Sequence, residues 1–251
     1  MFNNKKMKRV FYSVSLVAVF MLFFSTSNYA QIHKDLNLPE FHSVSLNSAY
    51  NVTIRQSNKQ EVGVNVEEDI WNISKFYVED GVLHIDIEQK DDGSKKSVWQ
   101  KIDNIKIMPT MKVAISMVAI KKLTVNGSGT IEAENSINAN NMALEMNGTG
   151  KIIMDLKDQN TSVDIYSEGE IELSGFCTTL KADVAGGGKL NAFNLEAQNA
   201  NAKVRGKSIC QINVSQVLEG YVFGDGELAH KGETKNVKKS VKGRGKINRA
   251  Y

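Results

Sequence analysis

Hydrophobic and polar residues alternate one by one along most of the chain beyond residue 31. In residues 142–146 and again in residues 171–173, every second residue is apolar and the residues between them are small or polar. Successive side chains of a β-strand point to opposite faces, so this alternation is typical of strands with one buried face. A helix would instead place apolar residues at intervals of three and four. The pattern therefore predicts an all-β protein.

A second pattern, apolar-x-Gly-x-Gly-x-apolar with Ser in place of one Gly in two copies, recurs in the C-terminal half. Its seven copies begin at Val125, Met146, Ile165, Val184, Val204, Val222 and Val241. From one copy to the next, the second small residue moves along the chain by 21, 19, 19, 20, 18 and 19 residues. A repeat of such constant length indicates one supersecondary unit stacked on copies of itself.

Each repeat has room for strand, corner and strand, with glycines that allow turns and close approach of the backbone. The sequence therefore predicts a single parallel β-helix of about 19–20 residues per coil, with its regular repeats over residues 121–251. A β-propeller is disfavoured because its blades need about 40 residues. Residues 32–120 keep the alternation but lack the glycine pairs, which predicts irregular N-terminal coils of the same domain, 31–251. A separate small β-domain is the alternative.

The first 30 residues have the layout of a secretory signal peptide. Four of residues 5–9 are basic, residues 10–24 are almost entirely apolar, and residues 25–30 are small or polar. An apolar stretch of this length is short for a membrane span, which needs about 20 residues. Cleavage is expected after Ala30 or Ser27, and an uncleaved anchor is the alternative. We expect an exported protein, in the periplasm, on the outer-membrane surface or outside the cell, without a transmembrane segment after cleavage.

Several stretches resemble a known family. Residues 41–56 carry Phe41, Val44 and Leu46 followed by Tyr50 and a Val-Thr-Ile-Arg-Gln segment, residues 80–85 read Asp-Gly-Val-Leu-His-Ile, and small-residue corners follow in series. Over residues 38–248 this resembles the "putative autotransporter adhesin, head GIN domain" proteins, a domain of unknown function common in exported Bacteroidetes proteins. The resemblance implies a right-handed β-helix and an exported location. It supplies no catalytic residues, and many relatives have Ser-rich corners instead of Gly-x-Gly.

The charge is unevenly distributed. Of 31 basic and 28 acidic residues, residues 1–30 hold four basic and no acidic ones, which leaves 27 against 28 and disfavours a nucleic-acid binder. Residues 231–251 contain eight Lys or Arg and one Glu. Lys242, Arg244 and Lys246 alternate with glycines and are predicted to share the outer face of the last coil. They would contact an anionic partner such as lipopolysaccharide or an acidic polysaccharide, or would protect an open β-edge from polymerising.

One set of acidic residues repeats in register. Glu145, Asp164 and Asp183 each lie five residues before the second small residue of their copy, and Lys203 and Tyr221 take this position in the next two. The spacing predicts a ladder of carboxylates on one face, which would bind a cation or substrate or form a solvated face balanced by Lys203.

Other chemistry finds little support in the sequence. The four histidines are scattered, and there is no HExxH, no GxSxG and no phosphate-binding loop. Cys177 and Cys210 are two coils apart, so we expect free thiols. No metal and no cofactor are expected.

The sequence thus predicts a non-enzymatic binding or adhesin-like module of the cell envelope, with a glycan or protein as ligand. The alternatives are a carbohydrate-active enzyme that uses the acidic ladder and a purely structural envelope protein. Oligomers could form by edge or end packing.

Overall fold

The computed structural model describes residues 31–88 and 110–250, so the predicted signal peptide lies outside the described residues. Strands make up 69% of the structure, which confirms the all-β prediction. The only helix among the described residues is the short α1 (Glu68–Trp71). The strands are β1 (Gln31–Asp35), β2 (Ser43–Leu46), β3 (Asn51–Gln56), β4 (Glu61–Glu67), β5 (Ser74–Glu79), β6 (Val82–Ile87), β7 (Met111–Met117), β8 (Lys122–Val125), β9 (Thr130–Ala133), β10 (Ile137–Asn138), β11 (Asn141–Met146), β12 (Lys151–Ile165), β13 (Glu170–Val184), β14 (Lys189–Gly206), β15 (Ile209–Gly224), β16 (Glu227–Lys231), β17 (Asn236–Lys242) and β18 (Lys246–Arg249).

The strands stack in parallel as a β-solenoid of about seven turns, as the repeat predicts. We call the side formed by β2, β8, β11 and β17 the first face, and the side formed by β3, β9, β16 and β18 the second face. The long strands β12 to β15 begin on the second face and end on the first. Between these two stretches they cross a third face, where β10 pairs with the middle of β12.

The core is a set of columns of inward-facing residues, one residue per coil. One column on the first face runs through Leu123, Leu144, Val163, Ala182 and Ala202, which are paired in register from coil to coil. Each of these side chains is 0–1% exposed. The alternation in the sequence therefore places one apolar residue above another, so that each coil buries the apolar face of its neighbours.

The glycine pairs are needed mainly where corners of adjacent coils approach closely. A Cβ atom added to Gly148 would lie 1.9 Å from the carbonyl oxygen of Gly127, and one added to Gly150 would lie 2.1 Å from that of Gly129. Positive φ angles occur at other corner glycines, such as Gly186 at 73°. Close approach, rather than backbone conformation, therefore accounts for the first corner pairs.

The first coil is β2–β3, and its corner carries Ser48 and Tyr50 where later coils carry glycine. Gly129 N donates to Ser48 O at 3.0 Å, and Thr130 N donates to Tyr50 O at 3.1 Å, so the β8–β9 coil stacks directly on β2–β3. The Tyr50 ring is fully buried and its hydroxyl lies 2.7 Å from Ser74 Oγ.

The order of the N-terminal strands in space differs from their order in the chain. After β3 the chain leaves the stack. Later, β6 pairs in parallel with β2 and β7 with β3, on the edges opposite to those that β8 and β9 occupy. Three antiparallel pairs extend this end: β5 with β6, β4 with β7, and β1 with β4. Where irregular coils are expected over residues 32–120, the described residues of that range form one regular coil, one parallel layer and antiparallel strands.

Two further expectations concern the thiols and the membrane. Cys177 and Cys210 are both buried and are not joined by a disulfide, as predicted. In the part of the chain that the structure describes, no helix has the length and apolar character to cross a membrane.

Candidate functional site

The outward-facing side chains of the first face form polar columns that run from coil to coil. We call the part of this surface on β11 and on the first-face ends of β12 and β13 the polar face. Its three columns are Asn141–Asn160–Thr179, Ala143–Ser162–Lys181 and Glu145–Asp164–Asp183. Neighbouring columns are two residues apart along a strand, about 7 Å, and neighbouring coils are about 4.8 Å apart.

The third column is the acidic ladder, and the structure places its members as the spacing predicts. Glu145 pairs in register with Asp164, and Asp164 pairs with Asp183. Lys203 and then Tyr221 continue the column on the next two coils.

Each carboxylate of the ladder has its own donors. Glu145 Oε2 lies 2.5 Å from Lys122 Nζ, and Glu145 Oε1 accepts a hydrogen bond from Asn147 at 3.0 Å. These two interactions hold the pKa of Glu145 below its usual value. Asp183 Oδ1 lies 2.7 Å from the guanidinium of Arg205. The contacts that balance these two carboxylates come from Lys122 and Arg205, while Lys203 lies next to Asp183 in the column.

Asp164, the middle carboxylate, has hydroxyl donors, and no cation among the described residues is in contact with it. Ser162 and Tyr166 each donate to it at 3.4 Å. Among the described residues no group of three His, Cys, Asp or Glu side chains is arranged to hold a metal ion. Asp164 therefore remains an acceptor on the open surface, next to the hydroxyl of Tyr166.

Tyr166 lies at the corner just beyond the ladder and was not found by sequence reasoning. Its side chain is 50% exposed, and the guanidinium carbon of Arg205 lies 5.9 Å from the centre of its ring. Burial of part of the ring and the charges of Asp164 and Asp183 raise the pKa of its hydroxyl, which stays protonated at neutral pH. The corner thus combines an exposed aromatic ring with two carboxylates.

A groove of about 930 Å³ opens over the other two columns of the polar face. The loop 118–121 forms one wall. The rest is lined by amide, hydroxyl and ammonium groups together with the apolar side chains of Ala139, Met142 and Ala143, without any carboxylate. The polar side chains that line it are Gln56, Lys121, Asn138, Asn140, Asn141, Asn160, Thr161, Ser162, Thr179 and Lys181.

Hydrogen bonds hold the groove in shape. Gln56 Nε2 donates to the carbonyl oxygens of Val118 at 3.3 Å and Asn138 at 3.0 Å, and Gln56 Oε1 accepts from Asn138 N at 2.8 Å. Asn160 Nδ2 donates to Asn141 Oδ1 at 3.0 Å, so these two amides are oriented by each other. The volume is within the range typical of small-ligand sites, about 300–1,000 Å³.

The three basic residues of the last coil do not share one flat face. Lys242 ends β17 on the first face, Arg244 lies in the following corner, and Lys246 begins β18 on the second face. Arg244 makes two hydrogen bonds to Asp225, at 3.0 and 2.6 Å, and Lys246 lies 3.2 Å from Glu227. All three side chains are exposed on the outside of the last coil, although the chain turns a corner between them.

The fold and the polar face define this chain as a β-solenoid protein with an extended polar surface. It belongs to the family described as "Putative auto-transporter adhesin, head GIN domain", which it matches over residues 40–234. No protein among the curated sequences shows significant similarity to the chain.

Solved structures share the fold. A "putative adhesin" from Bacteroides fragilis NCTC 9343 is 23% identical, with a TM-score of 0.77 over 88% of this chain and 97% of that chain. A "putative lipid binding protein" from Parabacteroides distasonis ATCC 8503 is 22% identical, with a TM-score of 0.71 over 89% of this chain and 98% of that one. A "putative adhesin" from Parabacteroides merdae ATCC 43184 is 16% identical, with a TM-score of 0.67 over 89% and 98%. At these identities the likeness concerns the fold alone.

Proposed function

We propose that this protein is an exported, adhesin-like binding module of the cell envelope and that its polar face binds a glycan. The observation that carries the proposal is the groove of oriented amides and hydroxyls, continuous with the column of carboxylates and the exposed ring of Tyr166. The adhesin description of the family and of two structural neighbours supports a binding role, and the leader of residues 1–30 supports export.

The chemistry of the polar face suits hydroxyl groups. An Asn side chain offers both an acceptor oxygen and two donor hydrogens, and a carboxylate accepts strongly. Asn141 and Asn160 offer the first kind of group and Asp164 the second, while Tyr166 provides an apolar surface for the face of a sugar ring. Because the columns repeat from coil to coil, a chain of sugar units can make similar contacts on successive coils.

We propose binding without turnover. Hydrolysis of a glycosidic bond needs one carboxyl group that stays protonated as the general acid. Lys122 lowers the pKa of Glu145, so this carboxyl group favours the charged form, and the carboxylate of Asp183 is engaged in an ion pair with Arg205. Release of reducing ends from any polysaccharide by the purified chain, abolished in Asp164→Asn, would instead establish an enzyme.

Glycan-array binding by the full chain, at low and physiological salt and with and without Ca²⁺, tests the proposed ligand class. We expect binding to neutral or acidic glycans that persists at physiological salt. Asn160→Ala should weaken it about 2- to 10-fold through loss of one or more hydrogen bonds. Asn194→Ala, an exposed asparagine on the third face, is the matched control and should bind as the wild type does. Absence of binding at both salt concentrations, or equal losses in the two variants, would contradict a glycan site on the polar face.

A further inference from the structure

The last coil that the structure describes has an edge without a partner. Among the described strands, β17 pairs with β15 alone, and β18 pairs with β16 alone. Their other edges therefore present backbone N–H and C=O groups that no described strand pairs with, which is the usual template for adding another strand. The inward positions of this coil are also uncovered: Val237 and Val241 are each 42% exposed, whereas Leu218 and Val222 beneath them are fully buried.

Outside the acidic ladder, several outward-facing side chains form ion pairs with side chains of opposite charge on the adjacent coil. On the second face Glu170 lies between Lys151 at 3.6 Å and Lys189 at 3.1 Å. The same order of acid below base recurs at the last coil, where Lys238 lies 3.8 Å from Glu219 of the coil beneath. Arg244 and Lys246 repeat it with Asp225 and Glu227. Carboxylates added beyond the last coil would therefore face basic side chains, as the carboxylates beneath it do.

The end of the solenoid has an excess of positive charge. β17 has three lysines and no acidic residue. Of these, Lys239 and Lys242 form no ion pair with any described carboxylate, and Lys239 occupies an inward position above Gly220. A second copy of the chain would bring lysine against lysine, which disfavours a dimer through this edge.

One coil below, a buried histidine lacks a partner. His230 is 3% exposed, and neither ring nitrogen has a hydrogen-bond partner among the described residues. It pairs in register with Ile212 below and Arg249 above. Burial, together with the charges of Lys239 and Arg249, lowers its pKa, so the buried His230 lies near two exposed basic side chains. An anionic group near the edge would relieve that imbalance.

We infer that the free edge of β17 receives an extended acidic segment of another protein, which adds to the solenoid as its next strand. Its apolar side chains would cover Val237 and Val241, and its carboxylates would face Lys238 and Lys242. This contact is a protein-recognition site separate from the glycan site of the polar face, and either can exist without the other. Main-chain hydrogen bonds supply affinity in such strand additions, and alternate side chains supply specificity.

The test uses an acetylated eight-residue peptide of alternating Glu and Val, titrated into the full chain by calorimetry. We expect binding that weakens about ten-fold when Lys238→Ala and Lys242→Ala are combined, since two charge pairs are lost. Lys207→Ala, at an exposed corner of an earlier coil, is the matched control and should leave affinity unchanged. The same peptide with alternate amides N-methylated keeps its charge but cannot pair with a strand edge, and it should not bind.

Two results would overturn the inference. If the N-methylated peptide or a peptide with the four Glu and four Val in blocks binds equally well, attraction is electrostatic and no strand is added. If the alternating peptide does not bind, or if sedimentation shows a dimer that these lysine substitutions strengthen, the edge is instead blocked or occupied by a second copy. Peptide binding is measured independently of glycan binding, so failure here leaves the proposed glycan function untouched.

Discussion

A single methyl group at Gly150 tests whether the corner glycines serve close stacking of the coils. The added Cβ would lie 2.1 Å from Gly129 O and 2.8 Å from Val125 Cγ1, and real Cβ contacts essentially never fall below 3.0 Å. The two corners must therefore separate by about 1 Å, which strains the packing beneath them. The hydrogen bonds from Gly150 N to Gly127 O, 3.2 Å, and from Lys151 N to Gly129 O, 3.0 Å, would weaken as well.

The size of the effect follows from these contacts. Overpacking costs about 1–3 kcal/mol, and each weakened hydrogen bond about 0.5–1.5 kcal/mol. We therefore expect Gly150→Ala to lower the free energy of unfolding by about 3 kcal/mol.

Two other glycines separate the possible causes. At Gly63, in β4, the added Cβ would meet nothing closer than 3.4 Å, so Gly63→Ala should be neutral or stabilise by about 0.5 kcal/mol. At Gly206 φ is +71° and nothing lies within 4 Å, so Gly206→Ala should cost only the left-handed backbone conformation, about 1–2 kcal/mol. Urea unfolding of the full chain, followed by far-UV circular dichroism, measures all three. A Gly150→Ala variant as stable as Gly63→Ala would refute the close-stacking argument.

Three further predictions concern the core and the leader. Burial and two neighbouring cations lower the pKa of His230 in the folded protein, so the imidazole binds a proton more tightly in the unfolded chain. The free energy of unfolding should therefore fall as the pH drops below about 6.5. His230→Leu should remove that part of the pH dependence and raise the free energy of unfolding at pH 7 by about 1–2 kcal/mol, whereas an unchanged pH profile would contradict this. Burial raises the pKa of Cys177 and Cys210 to about 12, so neither thiol should react with a disulfide reagent until the protein unfolds, and rapid reaction of the native chain would show that the coils open. N-terminal sequencing of protein recovered from the producing cells should begin directly after Ala30 or Ser27, and an intact leader would support the anchored alternative.

The repeat made much of the fold predictable. Because each coil takes 18–21 residues, distance from the corner glycines fixes which residues lie above one another. The alignment of Glu145, Asp164 and Asp183 followed from that spacing alone. The ion pairs of Glu145 and Asp183 did not follow from the spacing, because Lys122 and Arg205 lie outside the column of carboxylates.

The first coil and the groove depend on contacts that sequence spacing does not reveal. Ser48 and Tyr50 replace the corner glycines, so the coil of β2 and β3 lacked its most visible signal. The groove depends on the path of residues 118–121, which Gln56 fixes from another coil. Tyr166 occupies a variable position of the repeat, and its importance appears only when the ladder lies beside it.

The affinity of Tyr166→Ala for the best array ligand tests most directly whether the polar face binds a glycan. Calorimetry with the full chain should show a loss of about ten-fold, since removal of an aromatic anchor typically costs more than about 1 kcal/mol. Phe176→Ala, which removes a 38% exposed ring on the third face, is the control and should bind with wild-type affinity. Equal affinities of the two variants would place the ligand elsewhere on the solenoid and contradict the account.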